Sequence, residues 1–157
     1  MVEGNSSGGV PTERVLAITR VFDAPRSLVF KCWTDPAHGT RWSGPRGFTA
    51  THIEGDLRPG GAWRACLRRD GTGEELWQGG VYREVVEPER LVFTFAWDDE
   101  NGRRGHETLV TVTFAERDGK TEMNFRQAVF DTVEQRDGHR EGWNSAFDRL
   151  GEYVAQL

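Results

Sequence analysis

The sequence lacks several features that mark large classes of protein. Only two of its 157 residues are cysteines, Cys32 and Cys66, too few and too far apart for a disulfide framework or a CxxC pair. We expect both to be buried, apolar thiols. No run approaches the roughly 18 apolar residues of a membrane span, and the first residues lack the basic-then-apolar pattern of a secretory signal. We therefore expect a cytoplasmic protein without a membrane partner.

Charge of one sign is not concentrated anywhere in the chain. The formal net charge is -5 and is spread along the sequence, so we expect no nucleic-acid partner. The four histidines lack the spacing of metal ligands, and neither a nucleophile elbow nor a phosphate-binding loop occurs. We expect no metal and no cofactor, and we assign no catalytic residues.

Apolar residues recur at helical spacing near the C terminus. The stripe consists of Trp143, Phe147, Leu150, Val154 and Leu157, and the opposite face is polar. This pattern predicts an amphipathic helix from about Asp137 to Gln156, roughly 30 Å long at about 1.5 Å per residue. Such a helix needs an apolar surface to cover.

Turn signals divide the middle of the chain into short strands. They occur at residues 58–61, 69–75, 87–90, 98–105 and 116–120, and the segments between them alternate apolar and polar residues. Because short connections join neighbouring strands as hairpins, the pattern predicts an antiparallel sheet. With a first strand in RVLAITRVF, the sheet would have about seven strands.

Two short helices should follow the first strand. Pro25 and the apolar face of DAPRSLVFKCWTDP predict one helix, and residues from about 36 to 42 predict a second. Residues 1–13, rich in Gly and Ser, predict a flexible arm before a single domain of residues 14–157. A straight helix laid over a curved sheet would leave a cavity between the two.

The chain resembles a known family along most of its length. The runs WTDPAHGTRWSGPRGF, DLRPGGAWR, GGVYREVVEPERLVFTFAW and GWNSAFDRLGEYV are similar to the bacterial activator-of-Hsp90-ATPase-like branch of the START/Bet v 1 (SRPBCC) superfamily. The resemblance covers residues from about 14 to 157. It implies an α+β helix-grip fold, in which a seven-stranded curved antiparallel sheet wraps around a long C-terminal helix and encloses a deep apolar pocket.

The resemblance leaves function open, because the superfamily includes lipid carriers, hormone sensors, polyketide cyclases and co-chaperones. The eukaryotic co-chaperone has an additional N-terminal domain with an Asn-rich, Trp-containing motif, for which this chain has no room, so we do not expect direct Hsp90 activation. Many relatives dimerise, which implies a homodimer. Where relatives often have a His-containing motif, this chain has QAVF at residues 127–130. Any role of that His is absent here.

Aromatic residues on the elements around the implied pocket are the candidates for its walls. We predict that a small, largely hydrophobic ligand contacts nine aromatic residues and one amide. The set comprises Trp42, Phe48, Trp63, Trp77, Phe95, Trp97, Phe125, Gln127, Trp143 and Phe147. The sequence does not tell which face of each strand is concave, and a shift of one residue would exchange the faces.

Three hypotheses about function stay open. The first is binding of the ligand in the cavity, where Gln127, if buried, needs a hydrogen-bond partner such as a ligand or water. The second is a cyclase- or hydrolase-type enzyme with His106, Glu84 or Tyr82 as acid or base. The third is a co-chaperone or protein-interaction module that uses a sheet edge or a Trp-rich rim.

Overall fold

The computed structural model describes residues 12–157. Most of the predicted N-terminal arm, residues 1–11, lies outside the described residues. Its last two residues, Thr12 and Glu13, belong to a short 3-10 helix, Thr12–Arg14. Regular structure thus starts just before the predicted beginning of the domain.

Residues 12–157 form seven β-strands and three α-helices. The strands are β1 (Leu16–Phe22), β2 (Phe48–Gly55), β3 (Ala62–Arg69), β4 (Glu75–Val86), β5 (Arg90–Trp97), β6 (Thr108–Arg117) and β7 (Lys120–Ala128). The helices are α1 (Arg26–Thr34) and α2 (Pro36–Trp42), between β1 and β2, and α3 (Val133–Val154), after β7. Every helix of this described part is too short or too polar to cross a lipid bilayer. The order of elements confirms the predicted helix-grip fold.

Local sequence sets the junction between α1 and α2. Pro25 precedes α1, and Asp35 follows its last residue. The Asp35 side chain also caps α2, because it accepts a hydrogen bond from the Ala37 N–H at 2.9 Å. Pro36 occupies the first turn of α2, where its missing N–H leaves no helical hydrogen bond unmade.

Helix α3 extends further toward the N terminus than the apolar stripe predicts. The Thr132 hydroxyl accepts a hydrogen bond from the Gln135 N–H at 3.1 Å, so the helix begins at Val133 rather than near Asp137. The N terminus of α3 is thus set by the capping hydrogen bond of Thr132 and not by the first residue of the apolar stripe. At the other end Leu157 lies beyond the helix and is 57% exposed, so the stripe ends at Val154.

The strands form one antiparallel sheet in the order β1-β7-β6-β5-β4-β3-β2. Pairing changes register between Ala50 and His52 in β2 and between Tyr82 and Glu84 in β4, and such bulges bend a strand and increase its twist. Gly80 allows β4 and β5 to approach closely, since a Cβ there would lie 1.9 Å from the Thr94 carbonyl oxygen. The sheet therefore curls around α3.

The concave face of the sheet and α3 enclose the core. Val112 of β6, Met123 of β7 and Phe147 of α3 are fully buried within it. Cys32 and Cys66 are buried and unpaired, as predicted. Helix α3 packs most closely against β1 and α2 and contacts β2 to β5 less. Space is therefore left on the side of the helix that faces β3, β4 and β5.

Candidate functional site

Three adjoining cavities lie around Phe95 of β5. Cavity 1, of about 110 Å³, lies between α1, α2 and strands β2 to β5. Cavity 2, of about 190 Å³, lies between β3 to β5 and the middle of α3, and cavity 3, of about 220 Å³, lies beside the β5–β6 loop and the start of α3. A dry cavity of about 150 Å³ is known to hold benzene. The compartments thus have room for ring-sized groups.

Cavity 1 has predominantly aromatic walls. They consist of Trp33, Trp42, Trp63, Tyr82, Phe93, Phe95 and Trp143, with aliphatic Ile53 and Leu91 among them. The indole N–H of Trp42 donates to the Cys32 carbonyl at 2.9 Å, and that of Trp63 donates to the Thr94 carbonyl at 3.0 Å. These bonds hold both rings against the backbone, so the two indoles offer a ligand carbon surface rather than a donor.

Gln78 of β4 is a buried polar side chain whose amide is unused. It is 8% exposed and lines both cavity 1 and cavity 2. Within residues 12–157 its side-chain amide has no hydrogen-bond partner. The fully buried side-chain polar atoms without a partner in this part of the chain are Trp33 Nε1 and Asp98 Oδ1, so the Gln78 amide is accessible from the cavities rather than sealed in the core. Gln78 therefore offers a donor and an acceptor at the boundary between the two cavities.

Cavity 2 exists because small residues of α3 face β3 to β5. Gly138, Gly142 and Ala146 line it and follow one another at intervals of four, on one face of the helix. A Cβ added at Gly138 or Gly142 would meet no atom within 4 Å. Sequence reasoning missed both glycines. The available signal was that they interrupt a predicted helix far from its C-terminal cap.

A loop at residues 43–47 closes one side of cavity 2 and is held by Arg149 of α3. The Arg149 Nη1 lies 2.9 to 3.4 Å from the carbonyl oxygens of Ser43, Gly44, Pro45 and Phe48. Partial burial lowers the pKa of the Arg149 guanidinium from its ordinary value, the largest of several effects on it. One cationic side chain thus ties the wall of the cavity to the helix.

The predicted need of Gln127 for a partner is met within the protein. Its Oε1 accepts from Trp143 Nε1 at 2.8 Å and lies 3.1 Å from His139 Nδ1, while its Nε2 donates to Thr108 Oγ1 at 2.9 Å. The indole N–H of Trp97 donates to His139 Nε2 at 3.0 Å. Because this nitrogen must then be an acceptor, Nδ1 carries the imidazole proton and donates to Gln127.

The same network disfavours a charged His139. Burial lowers the pKa of its imidazole to about 4. Protonation would also place an N–H on Nε2, directly opposite the indole N–H of Trp97, and two donors cannot bond to each other. His139 is therefore neutral near neutral pH, with both ring nitrogens already engaged.

Comparison with known proteins identifies the family. A family model described as activator of Hsp90 ATPase homolog 1-like protein matches residues 23–155. The chain belongs to this family. A comparison with curated proteins found no match.

Solved structures agree with the family and the fold. The AHSA1 protein of Silicibacter pomeroyi is 26% identical, with a TM-score of 0.82 over 90% of this chain and 98% of that one. A Chromobacterium violaceum protein is 26% identical, with a TM-score of 0.83 over 90% and 96%. A Mycobacterium smegmatis protein is 25% identical, with a TM-score of 0.78 over 94% and 97%. These likenesses confirm the predicted helix-grip architecture.

In this family member, most of the ten predicted ligand contacts lie near the cavities. The cavity-lining residues among them are Trp42, Phe48, Trp63, Phe95, Trp97 and Trp143. Phe125, Gln127 and Phe147 are at most 2% exposed and lie in the core behind Trp143. They support the walls and do not line the three cavities.

Trp77 lies away from the cavities, so the geometry does not fit its predicted role. Its ring is on the convex face of the sheet, where the Arg64 guanidinium lies 4.7 Å from the ring centroid and the His52 ring lies 5.5 Å away. The adjacent residue, Gln78, faces the cavities instead. Of these two neighbouring residues, the one that faces the cavities is therefore Gln78, an exchange of faces that a shift of one residue produces.

The three acid or base candidates are not brought together. Tyr82 lines cavity 1, and burial raises the pKa of its phenol. Glu84 lies beyond the β4 bulge, is exposed and pairs with Arg90 at 3.0 Å. His106 lines cavity 3 and lies 3.1 Å from the Asp131 carboxylate. No pair of these residues shares a cavity.

Proposed function

We propose that the protein binds a small, largely hydrophobic molecule in cavities 1 and 2, between the sheet and α3. The observation that carries the proposal is the Gln78 amide, which is 8% exposed and unpartnered among residues 12–157 where two aromatic-walled cavities meet. On the wall of cavity 1, Trp33 Nε1 is also buried without a hydrogen-bond partner among these residues, and buried polar groups in folded proteins normally have one. A ligand with one polar group among apolar atoms would supply that partner.

The walls account for the apolar character of the ligand. Phe95 and Trp143 line both cavities, and Leu67 and Leu76 add aliphatic surface to cavity 2. Burial of apolar ligand surface would contribute about 25 cal/mol per Å², from which the cost of association is subtracted. One amide would orient the ligand without dominating the affinity.

The proposal assigns the protein a binding role rather than a catalytic one. Tyr82, Glu84 and His106, the candidate acids and bases, lie in different places. The proposal does not include direct activation of Hsp90. A homodimer and a cytoplasmic location stay predictions from the sequence and the family resemblance.

Native mass spectrometry of freshly purified protein tests the proposal. Wild type should carry a non-covalent adduct of a few hundred daltons that is released on denaturation. The variant Ala65→Leu/Ala146→Leu, which fills one residue in each cavity wall, should lose the adduct. The variant Ala62→Leu/Ala155→Leu changes two exposed alanines and should retain it. Wild type without an adduct, or an equal adduct on all three proteins, would count against ligand binding in these cavities.

A further inference from the structure

Cavities 1 and 2 follow one another along the strands of the sheet. In β3, Ala65 lines cavity 1 and Leu67 lines cavity 2. In β4, Tyr82 lines cavity 1 and Leu76 lines cavity 2, and Gln78 lies between them and lines both. Because every second side chain of a strand lies on the same face, these residues belong to one groove along the concave face. The two cavities are its successive parts.

Strand β5 and helix α3 place the boundary at the same point. Phe93 lines cavity 1, Trp97 lines cavity 2, and Phe95, which lies between them in β5, lines both. Trp143 of α3 also lines both cavities. At about 3.3 Å per residue, the distance along β5 from Phe93 to Trp97 is about 13 Å. An extended molecule of that length would reach from one cavity into the other.

Gln78 is the one polar side chain of cavity 2 that is free to bond a ligand in the described part of the chain. The indole N–H groups of Trp97 and Trp143 donate to His139 Nε2 at 3.0 Å and to Gln127 Oε1 at 2.8 Å, and His139 Nδ1 is bonded to Gln127 as well. The other residues that line cavity 2 have apolar side chains or none. A polar ligand group deeper in cavity 2 would therefore lose its hydration without gaining a hydrogen bond.

The boundary between the cavities does not favour a charged group. Among the described residues no Lys or Arg lines either cavity, so an anionic group would be buried without a counter-ion. The Asp35 carboxylate caps α2 through the Ala37 N–H, and the Glu54 carboxylate lies beside His52 on the convex face. At the boundary itself the polar group is the neutral amide of Gln78.

The walls on the two sides of this boundary differ in shape. Cavity 1 is lined by Trp33, Trp42 and Trp63, and the faces of such rings suit a flat aromatic group. Cavity 2 has aliphatic walls at Leu67 and Leu76 opposite the small residues of α3. A flexible alkyl chain fits this second compartment better than a ring system does.

We infer that cavities 1 and 2 form one site for an elongated, uncharged molecule with a carbonyl group between an aromatic ring and an alkyl chain, such as an aryl alkyl ketone or ester. The ring lies in cavity 1, the chain lies in cavity 2, and the carbonyl oxygen accepts a hydrogen bond from Gln78 Nε2. This inference rests on the proposed function and specifies the class of ligand for that site.

Two isomeric ketones test the position of the carbonyl group. In 1-phenylpentan-1-one the carbonyl is attached to the ring, so it would lie at Gln78. In 5-phenylpentan-2-one it lies three carbons further from the ring, where cavity 2 offers no free donor. The isomers have the same size and composition, and NMR titration of nitrogen-15-labelled protein should show that the first binds roughly fivefold or more tightly.

Replacement of the amide identifies the hydrogen bond responsible. Gln78→Met should remove the difference between the two ketones, because methionine has no donor, and should leave binding of 5-phenylpentan-2-one nearly unchanged. Gln156→Met changes an exposed glutamine beyond the end of α3, outside both cavities, and should keep the full difference.

A shorter ketone tests whether one ligand spans both cavities. Acetophenone has the ring and the carbonyl group of 1-phenylpentan-1-one without the rest of its chain. Gly142→Leu, which fills part of cavity 2, should weaken binding of 1-phenylpentan-1-one by a much larger factor than binding of acetophenone. Ala65→Leu, in the wall of cavity 1, should weaken binding of both. The spectrum of each variant also reports whether its fold is kept.

The outcomes separate the class of ligand from the existence of the site. Equal binding of the two isomers, an undiminished difference in Gln78→Met, or equal weakening of the long and short ketones by Gly142→Leu would overturn the inference and leave the proposed function standing. Binding of none of the three ketones to wild type would also overturn it, whereas the native mass measurement would still decide whether the cavities hold another ligand.

Discussion

The indole N–H of Trp143 in α3 donates to the Oε1 of Gln127 in β7 at 2.8 Å. This bond joins the helix to the sheet inside the core, where Gln127 is fully buried. Gln78 is also buried, but its amide has no partner within residues 12–157. Two glutamines on the concave face thus differ in role, since one is structural and the other is open to a ligand.

Replacement of each glutamine by methionine should separate these roles. Gln127→Met should lower the free energy of unfolding by about 2 kcal/mol or more, because the N–H groups of Trp143 and His139 would each lose a buried acceptor at roughly 1–3 kcal/mol. Gln78→Met should leave the free energy of unfolding unchanged or raise it slightly. Urea denaturation near neutral pH measures both, and equal losses would show that the Gln78 amide has an undetected structural partner.

The architecture could be predicted from the sequence because its signals are local. Turn residues at 58–61 and 87–90 separate alternating segments, and each such segment became a strand. The stripe through Trp143, Phe147 and Leu150 predicted a helix that faces the sheet. Each signal depends on a few neighbouring residues and needs no knowledge of the tertiary structure.

The walls of the site were less predictable because they depend on pairing between distant strands. Trp77 and Gln78 are neighbours, and sequence alone does not decide which one faces α3. The register shift between Tyr82 and Glu84 further changes which residues of β4 share a face. Gly142 was missed for another reason, since a glycine in a helix defines a cavity only when the opposing surface is known.

The shifted pKa of His139 predicts how stability depends on pH. Its folded-state pKa of about 4 lies below the ordinary value of 6.5, so between these values the unfolded chain binds more protons than the folded one. The free energy of unfolding should therefore fall by on the order of 2–3 kcal/mol as the pH is lowered from about 6.5 to 4. This part of the stability should be fully present above pH ~6.5.

The variant His139→Gln isolates this contribution from that of the carboxylates. It should show a flatter pH dependence than wild type over the same range, because glutamine does not titrate. Urea denaturation at several pH values measures the two slopes. Parallel slopes would mean that His139 gains no proton on unfolding and that its imidazole is already charged in the folded protein.

Removal of Arg149 should loosen the loop that borders cavity 2. Arg149→Met would remove the donor shared by the carbonyls of Ser43, Gly44, Pro45 and Phe48, so amide hydrogen exchange in residues 43–48 should accelerate.

The matched control on the same helix is Arg140→Met. Within the described part of the chain, the one ion pair of Arg140 is an exposed pair with Asp137 at 3.7 Å, which contributes little to stability. Hydrogen exchange measured by mass spectrometry should show no change in residues 43–48 for this control. If both variants exchange at the wild-type rate, Arg149 does not hold the loop.

Gly142 destabilises α3 and at the same time leaves room in cavity 2 for a ligand. Gly142→Ala should raise the free energy of unfolding by up to about 1 kcal/mol, because alanine favours the helix and its Cβ would meet no atom within 4 Å. Urea denaturation measures this change. Gly142→Leu should fill part of cavity 2 and reduce ligand uptake, whereas Glu141→Leu, at the exposed neighbouring position, should not. Equal uptake by both leucine variants would exclude cavity 2 as part of the site.

The indole N–H signals of the six tryptophans offer the most direct test of a ligand site between the sheet and α3. Toluene should be titrated into the nitrogen-15-labelled protein while these signals are followed by NMR. We predict saturable shifts for Trp63, Trp97 and Trp143, which line the cavities, and no shift for Trp77, which lies on the convex face. If none of the cavity signals shifts, or if Trp77 shifts together with them without saturation, the proposed ligand site is wrong.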